Sequence, residues 1–159
     1  MKRILVIFAL MLMAVSPAAS TRVSPAAAMG SAHTLSGGEM RIATFDAITH
    51  ADGSVSGNAE INVLALNVAW HTRIECLTVV GNRAFLGGTV TTSSDTTRVR
   101  VGTKSYFWVE DNGEGDGAPP DRVSVAGINE TPEGLADFCG LVLNLLPGRD
   151  VLHGNVQVR

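Results

Sequence analysis

The sequence lacks most of the motifs that mark an active site. Its two cysteines, Cys76 and Cys139, form no C-x-x-C pair, which is the usual redox motif. No serine stands in a G-x-S-x-G motif. The four histidines show neither the H-x-x-x-H nor the H-E-x-x-H spacing that places two zinc ligands on one helix face, and they stand at His33, His50, His71 and His153. These absences predict a protein that is not an enzyme.

Positive charge is also scarce. The whole chain has twelve basic and fifteen acidic residues and a formal charge of −3. Removal of residues 1–28 would take away three basic residues, Lys2, Arg3 and Arg22, and no acidic one, so the formal charge would become −6. An acidic balance disfavours nucleic acid and anionic membrane surfaces as partners.

The N-terminus has the pattern of a secretory signal peptide. Lys2 and Arg3 precede an apolar run over residues 4–15, which is too short for a membrane span, and small residues follow. Cleavage after Ser20 or after Ala28 satisfies the need for small side chains, and we prefer the later site. We therefore expect a signal peptide at 1–28, a flexible lead-in at 29–38, a β domain at 39–159, and a secreted or periplasmic protein without an integral membrane segment.

Cys76 and Cys139 are predicted to form one structural disulfide. An even number of cysteines in an exported chain is typical of disulfide bonding, and 63 positions separate these two.

Alternating apolar and polar residues predict β-strands. Val55, Ala59 and Ile61 share one face of a strand, and Val99, Phe107 and Val109 share a face of another. Asp52-Gly53 and Gly81-Asn82 are typical of hairpin turns. The predicted strands cover residues 40–49, 54–67, 74–80, 84–90, 98–110, 122–128, 140–145 and 151–158. Thr131 and Pro132 predict a short helical turn toward Phe138. The expected fold is a single antiparallel β-sandwich or small β-barrel of seven to eight strands.

Two blocks, residues 74–90 and 107–125, carry a resemblance to a family. The first contains Cys76 and a Gly-Asn-Arg-Ala hairpin, and the second contains Asp-Asn-Gly followed by Pro-Asp. The chain resembles a family of small exported bacterial β-domains over roughly residues 40–158. The resemblance implies the β fold and the pairing of Cys76 with Cys139, and it assigns no catalytic or binding residue.

The acidic loop at 110–121 is a candidate calcium site. Calcium prefers six to eight oxygen ligands on a flexible loop. The order of residues differs from an EF-hand, and a long polar hairpin connection would have the same composition. The candidate metal ligands are Asp111, Asn112, Glu114, Asp116 and Asp121.

A stripe of aromatic and basic residues is a candidate binding surface. Tyr106 and Trp108 alternate with the apolar Phe107 and Val109, and they share a predicted face with Arg98 and Arg100. Exposed rings of this kind bind sugars or proteins. The alternative is that both sheet faces are covered.

The sequence as a whole predicts an exported, non-catalytic binding or structural module. Its partner would be an extracellular protein, a glycan or a small ligand. The alternatives are a calcium-binding module using the loop at 110–121 and a β-barrel that carries a small apolar ligand.

Overall fold

The structure is a computed structural model that describes residues 25–129, 132–141 and 146–159. Nearly all of the signal peptide predicted at 1–28 and the predicted helix cap Thr131 lie outside these residues. The elements within the described residues are β1 Ala27–Ser36, β2 Glu39–Thr49, β3 Val55–Val63, a 3₁₀ turn Leu64–Leu66, β4 Val68–Val80, β5 Arg83–Ser93, β6 Lys104–Glu110, β7 Arg122–Ser124, β8 Gly127–Asn129, α1 Pro132–Leu141, β9 Gly148–Asp150 and β10 His153–Val158.

The ten strands form one antiparallel sheet. Their order is β10-β1-β2-β3-β4-β5-β6-β7-β9, and β8 also pairs with β6. The sheet curls into a half-barrel, so the all-β prediction is confirmed. The described residues contain ten strands where the sequence predicts seven or eight, because the pattern predicts neither β1 nor β9 and residues 122–128 divide into β7 and β8.

The concave face of the sheet encloses the main core. Phe45 and Phe107 meet edge to face with ring centroids 5.6 Å apart. The indole Nε1 of buried Trp70 donates to Ser105 Oγ at 3.1 Å, so this polar pair is satisfied inside the core. Ala59, Ile61 and Val63 of β3 point inward, which confirms the predicted alternation in that strand.

The prediction of a flexible lead-in at 29–38 is wrong. Ala27–Ser36 is strand β1, which pairs with β2 on one side and with β10 on the other. Several of the small residues that suggested a loop are required by close packing within the sheet. Ala28 and Ala32 are fully buried, and a Cβ at Gly30 would overlap the carbonyl oxygen of Asn155.

Two further strand predictions need correction. Residues 98–103 form turns, because Asp95 accepts hydrogen bonds from the backbone N–H groups of Thr97 and Arg98 and Gly102 adopts a φ of +91°. The predicted strand at 140–145 begins inside α1, and its residues 142–145 lie outside the described residues. The predicted helix after Pro132 is confirmed and extends to Leu141.

A β-bulge at Glu75 exchanges the two faces of β4. Ile74 pairs with Gly88 and Cys76 pairs with Gly87, so Glu75 is an extra residue without a partner on β5. Before the bulge, Trp70 and Ile74 point into the core. After it, Cys76 lies on the convex face, where it forms the predicted disulfide with Cys139 of α1, with a Cα–Cα distance of 6.3 Å.

Helix α1 covers the convex face and builds a second core. Phe138 packs against Phe85 and Tyr106, with ring centroids 5.7 and 4.6 Å away. Leu135 lies over Gly87, where a Cβ would overlap its side chain. Both faces of β5 and β6 are therefore covered over residues 84–88 and 105–109.

We predict that the double substitution Cys76→Ser and Cys139→Ser lowers the free energy of unfolding by about 2–4 kcal/mol, because the bridge restricts a long loop in the unfolded chain. Urea unfolding of the oxidised wild type and the double variant measures the difference. Adding a reductant should destabilise the wild type to the level of the variant and leave the variant unchanged. Equal stability of oxidised wild type and variant would contradict a structural role for the bridge.

Candidate functional site

The acidic loop between β6 and β7 binds the edge strand β10. Asp121 Oδ2 accepts the backbone N–H of Val156 at 2.9 Å, and Asp111 Oδ2 accepts that of Val158 at 3.1 Å. The other oxygens of the two carboxylates accept N–H groups of the loop itself, from Asn112 at 2.8 Å and Gly113 at 2.9 Å. The loop is thus fastened to an edge strand by charge-assisted hydrogen bonds.

The five predicted metal ligands do not converge. Glu114 Oε1 accepts Asn155 Nδ2 of β10 at 2.8 Å, and the Asn112 amide donates to the carbonyl of Pro120 at 2.7 Å. Asp116 is exposed on the loop. Within the described residues, no group of three or more His, Cys, Asp or Glu side chains is arranged to hold a metal ion. The loop therefore acts as a clasp on β10, and the carboxylates that suggested calcium serve as hydrogen-bond acceptors.

The clasp, formed by Asp111 and Asp121, blocks part of an exposed sheet edge. An edge strand exposes a row of unpaired N–H groups that invites pairing with other chains. On β10, the N–H groups of Val156 and Val158 are occupied by carboxylates. This edge of the half-barrel is consequently closed to a further strand at these two residues.

The predicted aromatic and basic stripe is not a surface. Trp108 is only 1% exposed, because it lies in the second core, and its Nε1 donates to the carbonyl of Leu146 at 3.0 Å. The guanidinium of Arg83 lies 4.3 Å from the centroid of its ring. Tyr106 packs against α1, whereas Arg98 and Arg100 lie in the turns between β5 and β6. The stripe is divided because residues 98–103 do not continue strand β6.

A cluster of buried apolar side chains packs the concave interior. A cavity near Thr34 and Arg41 measures about 20 Å³, which is room for about one water molecule. Pockets that hold small ligands measure several hundred cubic ångströms, about 300–1,000 Å³. This cavity does not support the carrier alternative.

A groove opens on the surface where β3 and β4 separate. The two strands pair from Asn58 with Arg73 to Val63 with Val68. Beyond Arg73, β4 pairs only with β5, and residues 55–57 of β3 pair only with β2. The groove has a volume of about 620 Å³ and is lined by residues 53–58 on one side and 73–75 on the other.

The backbone of β3 presents unpaired groups to this groove. The N–H of His50 donates to the carbonyl of Ser54 at 2.8 Å, which fixes the phase of the β2–β3 hydrogen bonds. In an antiparallel pair, every second residue of a strand directs its N–H and C=O groups to the same neighbouring strand. Since Ser54 bonds to His50, directly after β2, Ser56 and Asn58 bond to β2. Val55 then directs its N–H and C=O groups, and Gly57 its N–H group, toward the groove, where the described residues offer them no strand partner.

Glu75 fixes the opposite rim of the groove. Its carboxylate accepts hydrogen bonds from Arg73 at 2.9 Å, Thr89 at 2.8 Å and Lys104 at 2.8 Å. Burial raises the pKa of Glu75, but the hydrogen bonds from Lys104, Thr89 and Arg73 outweigh it and hold the pKa below its usual value. The bulge is thus tied to β5 and β6 across neutral pH, and this stabilisation is lost only as the pH falls through the lowered pKa.

No protein-family model, curated protein or solved structure matches this chain. Among the described residues, no helix has the length and apolar character needed to cross a membrane.

The groove is not apparent from the sequence, although one signal points to it. The sequence predicts one strand over residues 54–67 and the next over 74–80, and the place where β3 and β4 part lies next to the bulge. In the run from Val68 to Val80, inward positions change from even to odd numbers after Ile74. A break of this kind in the alternation is the sequence signal of a bulge.

We predict that Asp121→Asn lowers the free energy of unfolding by about 1–3 kcal/mol, because an amide NH₂ would face one of the two N–H groups that the carboxylate now accepts. Chemical denaturation measures the change. Asp116→Asn removes the same charge from the same loop without removing a described hydrogen bond, and it should be neutral. Equal losses for the two variants would show that net charge, and not the clasp, is responsible.

Proposed function

We propose that this protein is an exported, non-catalytic binding module that captures an extended polypeptide segment in the groove between β3 and β4. The observation that carries the proposal is the pair of residues Val55 and Gly57, whose backbone groups face a groove of about 620 Å³. Addition of a strand to an exposed sheet edge is a common mode of peptide recognition, because main-chain hydrogen bonds provide the affinity.

The groove also indicates what kind of segment fits. Val55 is half-buried on its concave side, whereas Ser56, Arg73 and Glu75 lie on its convex side. Since side chains alternate along a strand, a bound segment would place an apolar residue over Val55 and polar residues beside Arg73 and Glu75. The expected partner is a protein segment with alternating apolar and polar residues.

A comparison of the edge strand β10 with the unpaired end of β3 supports this choice of site. The clasp occupies the N–H groups of Val156 and Val158 on β10 with carboxylates. Within the described residues, no side chain occupies the N–H groups of Val55 and Gly57 in the same way. Backbone groups that are blocked on β10 and left open at the end of β3 favour strand addition at β3.

Export is supported by the disulfide between Cys76 and Cys139, since such bonds persist in oxidising compartments. The leader pattern at residues 4–15 and the resemblance to small exported bacterial β-domains agree with it. Of the two cleavage sites considered, the position of β1 favours cleavage after Ser20. Cleavage after Ala28 would remove Ala27 and the fully buried Ala28 from a paired strand.

Selection from a displayed library of random twelve-residue peptides tests the proposal. We predict that selected peptides alternate apolar and polar residues and shift the amide resonances of Val55, Gly57 and Glu75 in the protein. Val55→Pro removes one N–H that faces the groove and should weaken a selected peptide at least about tenfold, in the range expected for one lost hydrogen bond.

Asn62→Ala is the matched control, because it changes a side chain of the same strand outside the groove and leaves its backbone hydrogen bonds to β2 in place. Its affinity for the peptide should stay within about twofold of the wild type. Circular dichroism verifies that both variants fold. Peptides that bind with unchanged affinity to Val55→Pro, or that shift only resonances remote from the groove, would overturn the proposal.

A further inference from the structure

Two of the four scattered histidines meet on the outer surface of the sheet. His33 of β1 and His153 of β10 are directly paired across the two antiparallel strands. Their ring centroids are 6.4 Å apart and the rings are perpendicular. His153 is exposed and His33 is half-buried, so a small ion can reach both.

The ring nitrogens of this pair are available, unlike those of the other two histidines. His50 Nε2 is hydrogen-bonded to Ser56 Oγ at 2.7 Å, and His71 Nε2 lies 3.8 Å from Glu60 Oε2. Within the described part of the chain, neither imidazole of the His33–His153 pair has a hydrogen-bond partner. Both imidazoles can therefore turn a nitrogen toward a common ligand.

We propose that His33 and His153 form a binding site for a divalent first-row transition-metal ion. Imidazole is the usual protein ligand for such ions, and zinc–nitrogen bonds measure about 2.0–2.1 Å. Side chains directly opposite each other in an antiparallel pair have Cβ atoms about 4.5–5.5 Å apart, so small rotations bring one nitrogen of each ring to a shared ion. Water completes the coordination, because the site is open to solvent.

Such an ion would join β10 to β1. His153 is the first residue of β10, and the backbone N–H of the preceding Leu152 already donates to the carbonyl of His33 at 2.8 Å. Metal binding would therefore reinforce the same strand that the clasp holds at Val156 and Val158. An ion that binds only the folded pair raises the melting temperature as its concentration rises.

Isothermal titration with zinc chloride and with nickel chloride tests the site on the full mature chain. We expect one ion per chain and a rise in melting temperature with metal concentration. His33→Ala and His153→Ala should each weaken binding at least about tenfold, the scale expected when a metal site loses part of its support. His71→Ala, which removes an exposed histidine of β4, should change affinity less than about twofold.

A second measurement does not depend on how the variants fold. In the wild type, zinc should shift the imidazole nitrogen resonances of His33 and His153 together at equal metal concentrations, and those of His50 and His71 should stay in place. Absence of binding at millimolar metal, or an equal loss of affinity in His71→Ala and His153→Ala, would overturn the site. Peptide binding in the groove between β3 and β4 is independent of these variants.

Discussion

The bulge at Glu75 is the constraint on which the other features depend. One extra residue in β4 exchanges the faces of the strand, so Ile74 remains in the main core while Cys76 reaches the convex side. The disulfide with Cys139 then holds α1 over Phe85 and Trp108 and creates the second core. β4 parts from β3 next to the same irregularity, where the groove lies. The second core and the proposed binding site therefore meet at this bulge.

Edges determine what a curled, open sheet can bind. The clasp shows how acidic residues that suggest a metal site can instead satisfy the N–H groups of an exposed strand, through Asp111 and Asp121. The groove shows the opposite case, in which backbone groups of Val55 and Gly57 are left for a partner. A carboxylate has the same acceptor chemistry for a backbone N–H as for a cation, so composition alone does not separate the two roles.

Features that depend on local pattern could be predicted from the sequence, and features that depend on distant pairing could not. Period-two alternation and hairpin turns predicted most of β2 to β6, and Pro132 predicted the start of α1. Strand β1 could not be predicted, because its small residues are explained by close contacts with β10, which lies more than a hundred positions later in the sequence. The pairing of His33 with His153 could not be predicted either, because it depends on the same long-range pairing of β1 with β10. The burial of Trp108 follows from α1 covering the convex face, which the alternation of β6 does not reveal.

Hydrogen exchange of individual backbone amides tests the open edge most directly. In the free protein, we predict that the amides of Val55 and Gly57 exchange much faster than those of their neighbours Ser56 and Asn58, by about 100-fold or more, because only Ser56 and Asn58 bond to β2. Equal protection of all four amides would mean that this end of β3 is already paired, and it would contradict an open binding groove.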